Sequence, residues 1–520
     1  MPLTIIDSIH FTRLVQKYLQ PKYSSYSRNT LRSDSIKLYN RRKQIIIEGL
    51  KSFNSVISFT SDLWTNCNRK GYIATTAHYI DHLWLLHKRI IAFRCVEYPH
   101  NVTNIYMVLK DIIQEYGIQD MAQNFTFDNA AMNKVVIERF IADLNPVFGN
   151  LFFHLRCVCH IINLIVKAGL EHISSPLDKI RQAINFITVS PARKQAFNSL
   201  CAEYGLQEKS FATDVTHRWN STYLILHSCE NYDKMISLYY NGRHTLAPEH
   251  NLDNWEWTIA FYMKKILPPF FDAIKECSDI YYHTSSLVLQ HFFYISQAFH
   301  KYRNLSLFAD VVRSMELKFC KYWEELPSLF LLTSVMDHRL NLTGTKVTVK
   351  GISDFLNIEL SHMHIESFLC EMCNYYAENN TSVSSFSSSS SSSTSRAINI
   401  GGTNLEIPSE LARYMCVDVR SVLQPNELQE FSLLNWWRCN ERQYPIVSKI
   451  ARDLLTPPVS TVASEAAFSL GGRILSDERS RLKEDILEAL IYLKDWECAK
   501  LCVQEHVDSI MAEELQHIQT

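Results

Sequence analysis

Val56-Ile57-Ser58-Phe59-Thr60-Ser61-Asp62 is the stretch on which the fold turns. Its β-branched and aromatic residues through Thr60 predict a strand that ends at Asp62. Two further strand-like runs follow, Gly71 to Ile80 and Trp84 to Val96. The period then changes. Between Thr103 and Tyr116, the residues Ile105, Val108, Leu109, Ile112 and Ile113 recur at helical spacing. Phe125-Thr126-Phe127 predicts a short strand ending at Asp128, Met132 to Leu144 a second helix, and Phe152 to Leu155 a fifth strand. The order β-β-β-α-β-α-β implies a three-strand meander continued by crossovers on one mixed sheet. In such a sheet the first and fourth strands can be neighbours. Asp62 and Asp128 would then project from one end, where open α/β sheets place their sites.

Two carboxylates with a third acid nearby are hard oxygen ligands suited to Mg²⁺ or Mn²⁺. A pair of such ions can activate a water or hydroxyl and stabilise the leaving oxygen of a phosphodiester. The third acid comes from a distant stretch. Pro457-Pro458 breaks the chain, a short helix follows, and Gly471-Gly472 is expected to stop it. Glu465 is the one acid on that helix, among small and apolar neighbours, and burying it is costly unless it meets a metal or a partner charge. The plainer reading of the strand-end acids is that they cap turns or helices, Asp128-Asn129 being a suitable N-cap.

The rest of the chain sets bounds on function. At 520 residues it exceeds a single core, and its 47% hydrophobic content marks a folded globular protein. A net charge of −2 provides no global field toward nucleic acid or anionic membrane. A local patch is visible before residue 52, where Arg13, Lys17, Lys22, Arg28, Arg32, Lys37, Arg41, Arg42, Lys43 and Lys51 face only Asp7, Asp34 and Glu48. Basic residues interleaved with Tyr suit a phosphate backbone, and equally suit a solvated helix face. The 14 Cys are scattered in apolar contexts, as expected of reduced thiols in a cytosolic or nuclear protein. No signal-peptide pattern and no membrane-spanning apolar run is present, so no membrane partner is expected. The Ser-rich run from Ser384 to Ser395 reads as a linker, and residues 230–380 as all-helical. After the linker, Leu434, Trp437, Tyr444, Val447, Ile450, Ala451 and Leu454 recur at helical spacing, and Ile486 to Trp496 predicts a final amphipathic helix.

Ser61-Asp62-Leu63-Trp64-Thr65 resembles the first block of hAT-superfamily DNA transposases, and Phe127-Asp128-Asn129-Ala130-Ala131-x-Asn133 the second. Arg156-Cys157-x-x-His160-x-x-Asn163-Leu164 resembles the family's Cys-x-x-His motif. Asp214-Val215-x-x-x-Arg218-Trp219-Asn220-Ser221-Thr222-Tyr223 is similar to its Arg-Trp block. Trp436-Trp437, Tyr444-Pro445 and the stretch from Pro458 to Trp496 resemble its C-terminal dimerisation region. Met315-x-x-Lys318-Phe319-x-Lys321-Tyr322-Trp323 is similar to the helical insertion of the RICESLEEPER-like branch. The blocks fall in the family's order.

The resemblance implies an α/β fold with an RNase H-like mixed-sheet core, interrupted by a large all-α insertion and completed by C-terminal dimerisation helices. Its expected division is a basic helical segment at 1–51, the first part of the core at 52–230, the insertion at 231–383, a linker at 384–400, the dimerisation region at 401–500 and a tail at 501–520. It implies that Asp62, Asp128 and Glu465 form an acidic triad holding two Mg²⁺ or Mn²⁺ ions. It implies cleavage of double-stranded DNA at transposon ends and strand transfer, in the nucleus, by a homodimer or higher oligomer. His160 would lie near the scissile phosphate, Arg218 beside it in the DNA-contacting set, and Trp219 would stack on a distorted base. Trp219 also suits a core tryptophan. No zinc is expected, since Cys157-x-x-His160 and Cys370-x-x-Cys373 lack complementary ligand pairs. Before residue 51 there is no Cys-x-x-Cys and no paired His, so the BED-type finger usual in the family is expected to be lost or truncated. Two other functions stay open: a transposase-derived, non-catalytic nuclear protein that binds DNA or dimerises, and an RNase H-like nuclease acting on another nucleic acid.

Overall fold

The computed structural model describes residues 3–53, 55–66, 69–146, 148, 153–212, 219–242, 251–325, 328–358, 365–381, 396–400, 403–417, 431–475 and 482–501. The chain forms two compact units. The first comprises residues 1–157, 279–285 and 366–504, and the second residues 158–278, 286–365 and 505–520. Residues 158–230, grouped with the core by the sequence, thus fall in the second unit. Residues 384–395 of the expected linker and 502–520 of the expected tail lie outside the described residues. Residues 396–400 form a strand that pairs antiparallel with Thr403–Ile407.

The first unit opens with two helices, α1 (Ile9–Tyr18) and α2 (Arg28–Lys51). Three antiparallel strands follow: β1 (Ile57–Thr65), β2 (Gly71–Ile80) and β3 (Leu86–Val96). Then come helix α3 (Val102–Tyr116), strand β4 (Ala122–Phe127), helix α4 (Ala131–Leu144) and strand β5 (His154–Arg156). This is the predicted order. The sheet reads β3-β2-β1-β4-β5, and β4 is parallel to both of its neighbours.

Strand periodicity sorts β1 and β4 into two faces. Ile57, Phe59, Phe125 and Phe127 point to one side and form a core with Ile105, Leu109, Ile112, Val136 and Phe140 of α3 and α4. The rings of Phe59 and Phe125 stack at 4.8 Å across the strand pair. The other face meets the C-terminal helices. There Tyr72, Ala74, Ile90 and Phe93 pack with Phe468, Ile486, Tyr492 and Trp496.

The helix carrying Glu465 spans Val462–Ile474 and runs straight through Gly471 and Gly472. The expected helix stop is therefore corrected, and packing is the reason. A Cβ at Gly471 would lie 2.6 Å from the Phe93 ring, which is itself buried in the sheet. The glycine lets the helix approach β3 closely. Gly471→Ala is expected to destabilise the fold by about 1–3 kcal/mol through overpacking, despite a helix-propensity gain of about 1 kcal/mol. Urea unfolding measures the balance of the two.

Several cations of the basic N-terminal segment are engaged in ion pairs. Arg32 pairs with Asp485 at 2.5 Å, Arg42 with Glu497, Lys43 with Glu115 at 2.6 Å and Arg28 with Asp7 at 2.5 Å. Tyr39 packs its ring 5.3 Å from Tyr492 and 6.0 Å from Trp496. Helix α2 thus fastens the final helix, Glu484–Leu501, through Arg32, Tyr39 and Arg42.

The second unit is helical throughout its described residues. The Val158–His172 helix packs closely on Ala309–Glu324, where a Cβ on Gly169 would lie 2.5 Å from the Met315 sulfur.

Candidate functional site

Strand register brings the two aspartates together. β1 and β4 pair in parallel as far as Thr60 opposite Thr126. Asp62 and Asp128 each lie two residues further on, so both leave the sheet on the same face of adjacent strands. Asp62 does not end its strand as expected. β1 continues to Thr65, paired with Gly71 of β2, and it outruns β4. Asp128 stands just past the end of β4.

The same face seats the third acid. Thr60 Oγ1 lies 3.0 Å from Ser464 Oγ and 2.5 Å from Thr76 Oγ1, which is 2.8 Å from His78 Nε2. Burial, with the Lys88 charge adding to it, pushes His78 down to about 3, so the imidazole is neutral and this buried chain of hydroxyls carries no charge. Thr126 Oγ1 donates to the Pro458 carbonyl at 2.7 Å. These bonds hold the segment leading into the Val462–Ile474 helix, and its first turn, over β1 and β4. Glu465 lies in that turn.

Electrostatics report the convergence. Burial, then the charges of Glu465 and Asp128, push the Asp62 carboxyl up to about 7, against one backbone hydrogen bond from Leu63 that lowers it. The burial expected of Glu465 therefore falls on Asp62. Glu465 is on the exposed side of its helix, and its Oε1 accepts from the Thr461 hydroxyl at 2.9 Å. Asp128 Oδ1 accepts from the Ala130 backbone at 3.1 Å and from Asn133 Nδ2 at 2.5 Å, so it also shapes the turn into α4. Among the described residues, no three of His, Cys, Asp and Glu stand close enough together to hold a metal ion.

The remaining candidates lie in the second unit. Trp219 is buried, and its indole N–H donates to Asn163 Oδ1 at 2.5 Å. That bond joins the Arg-Trp block to the Cys-x-x-His block and gives Trp219 the place of a core tryptophan. His160 is half-buried on the Val158–His172 helix. Arg218 lies outside the described residues. In the first unit Cys370 and Cys373 are buried in the Ile365–Thr381 helix, and burial raises both thiols, Cys370 to about 11. They are protonated core groups. Sequence reasoning missed the hydroxyl chain through Thr60, Thr76 and Ser464, whose only signal is polar residues inside an otherwise apolar strand.

Comparison with known proteins agrees with this architecture. Residues 60–148 match the ZBED1 RNase-like domain, residues 155–265 the ZBED1 RNase-like helical domain, and residues 410–497 the hAT family C-terminal dimerisation region. An AC transposase of Zea mays is 30% identical over 526 residues, covering 96% of this chain. The chain belongs to the hAT transposase family. An AC9 transposase of Zea mays is 29% identical over 560 residues, covering 97% of this chain. The zinc finger BED domain-containing protein RICESLEEPER 2 of Oryza sativa subsp. japonica is 26% identical over 533 residues, covering 95% of this chain and 72% of its own. The hAT chain described here spans 63% and 65% of the lengths of the two maize relatives. Its RNase-like region carries Asp62 and Asp128, and its dimerisation region contains the Glu465 helix and most of the final helix. Among the described residues no helix is long and apolar enough to cross a membrane.

Proposed function

We propose that this hAT protein is a DNA transposase, cutting and joining phosphodiesters of double-stranded DNA with Asp62, Asp128 and Glu465 as the ligands of two Mg²⁺ or Mn²⁺ ions. One observation carries the reading: Asp62 and Asp128 leave the same face of adjacent parallel strands, under the helix turn that bears Glu465. The three acids offer an all-oxygen donor set, which fits a hard divalent ion. When bound, such ions activate the attacking oxygen and stabilise the leaving one.

The protein's own groups do the rest. Asp62 would give up the proton that burial, with the two neighbouring acids, favours on it. Asp128 keeps one oxygen on the α4 turn and offers the other. Glu465 would keep one oxygen on the Thr461 hydroxyl and offer the other. Self-association through the family's dimerisation region pairs two DNA ends, and DNA as substrate makes the nucleus the site of action.

The test is cleavage of duplex DNA with Mg²⁺ or Mn²⁺ by wild type, Asp62→Asn, Asp128→Asn and Glu465→Gln. Each variant is expected to lose about a thousandfold in rate. Equal cleavage by all four proteins sinks the reading. A second reading, a domesticated nuclear protein that binds DNA and dimerises without cutting, is favoured by the absence of any three-ligand cluster among the described residues. It predicts duplex binding with no metal-dependent cleavage.

A further inference from the structure

We propose that Cys157 and Thr461 are positioning residues that hold the acidic site in register for a divalent cation, an inference that rests on the metal-site reading above. Cys157 follows β5 directly. Its backbone N–H donates to the Phe127 carbonyl at 2.7 Å, one residue before Asp128. Its sulfur lies 3.4 Å from both the backbone nitrogen and the hydroxyl of Thr461. Thr461 in turn reaches Glu465 Oε1 at 2.9 Å, one helical turn on. A single buried residue thus touches the strand end that carries Asp128 and the helix start that carries Glu465.

The hydrogen assignments follow from chemistry. A hydroxyl has one hydrogen, and a carboxylate at 2.9 Å is a stronger acceptor than a sulfur at 3.4 Å. The Thr461 hydrogen goes to Glu465. The sulfur accepts from the Thr461 backbone N–H, and its own hydrogen faces the hydroxyl's lone pairs. The Thr461 carbonyl is engaged as well, accepting from Ser464 Oγ at 2.9 Å, and Ser464 is fixed to Thr60. Thr461 is therefore held on three sides, and through it one oxygen of Glu465. The other oxygen is left to turn toward Asp62 and Asp128. Such supports commonly alter metal affinity by about 10–100-fold when removed.

The experiment uses the full chain and Mn²⁺ alone, with affinity measured by calorimetry and the melting temperature measured without cation. Thr461→Val keeps the shape and deletes the hydroxyl. It is expected to bind Mn²⁺ about tenfold more weakly. Thr461→Ser restores the hydroxyl and is expected to bind within about twofold of wild type, with both variants melting within a few degrees of each other. A merely structural role would move the melting temperature and not separate the two affinities. Should Thr461→Val fail to fold, Cys157→Ala read against Cys157→Ser makes the same comparison, with the serine variant the tighter binder. Wild-type affinity in Thr461→Val, or equal affinity in the two Cys157 variants, overturns the positioning role alone. A wild type that binds no Mn²⁺ at millimolar concentration overturns the metal site and this inference together.

Discussion

Asp62→Asn is expected to destroy activity while making the cation-free protein more stable. The Asp62 carboxyl has its folded-state value raised to about 7, above the value near 4 of an unfolded aspartate. Between those values the folded state holds a proton that the unfolded state gives up. The contribution of this group to stability is therefore greatest below about pH 4, falls as pH rises toward 7, and is flat above. At about pH 8 the buried negative charge costs on the order of 2 kcal/mol, half of what three pH units represent, because water still reaches this half-buried group. Asparagine removes that cost and the slope with it. On the proposed metal-site reading, the same substitution also lowers the cleavage rate about a thousandfold. Thermal melts of both proteins across the pH range, beside the cleavage assay, read the two effects. An Asp62→Asn variant that is less stable than wild type at pH 8 would mean that Asp62 is a structural carboxylate, not one held under repulsion for function.

The pairing of Asp62 with Asp128 was legible because it rests on local signals. Period-two runs located the strands, period-3.6 runs located α3 and α4, and the crossover rule made β1 and β4 candidates for neighbours. What local signals could not supply was length. β1 extends past Asp62 because β2 continues to pair with it after β4 has ended, and the choice of neighbour is a tertiary fact. The return of Glu465 to the sheet was legible only through resemblance. Its contacts lie some 400 residues back along the chain, as in the bond between Ser464 and Thr60. The Gly471-Gly472 pair misled for a similar reason. Glycine stops a helix in isolation, but the Phe93 ring makes it a packing site. The charges of α2 were readable as charges and not as partners, since Asp485 and Glu497 stand more than 450 positions away. Cys157 lay inside a recognised motif, yet its contact with Thr461 has no signature in spacing.

Asp495→Ala is expected to cost about 3–5 kcal/mol, enough to unfold much of the first unit near body temperature. Asp495 and Lys88 form an ion pair in which both side chains are only 6% exposed. Its second oxygen accepts from the Ile90 backbone at 2.8 Å. One turn back, Tyr492 donates to the Ile91 carbonyl at 2.6 Å, and Trp496 donates to the Ile90 carbonyl at 3.3 Å. The final helix is thus bonded to β3 through backbone groups of the strand. Removing the carboxylate leaves the Lys88 ammonium buried without its partner, and that orphaned charge, more than the lost bond, is the source of the cost. The double change Lys88→Met with Asp495→Leu removes both charges and is expected to recover most of the loss. The Arg42–Glu497 pair on the same helix is the control, because Glu497 is half-exposed. Glu497→Ala is expected to cost less than about 1 kcal/mol. Urea unfolding of the three variants beside wild type separates the cases. The comparison also bears on assembly. The family's dimerisation region ends in a helix whose inner face is already committed to β3, so a second copy must meet its outer face or another part of the region. A dimer lost in Asp495→Ala but retained in the double variant, as sedimentation would report, follows if association depends on this helix being docked. A dimer that survives with the helix undocked places the association elsewhere.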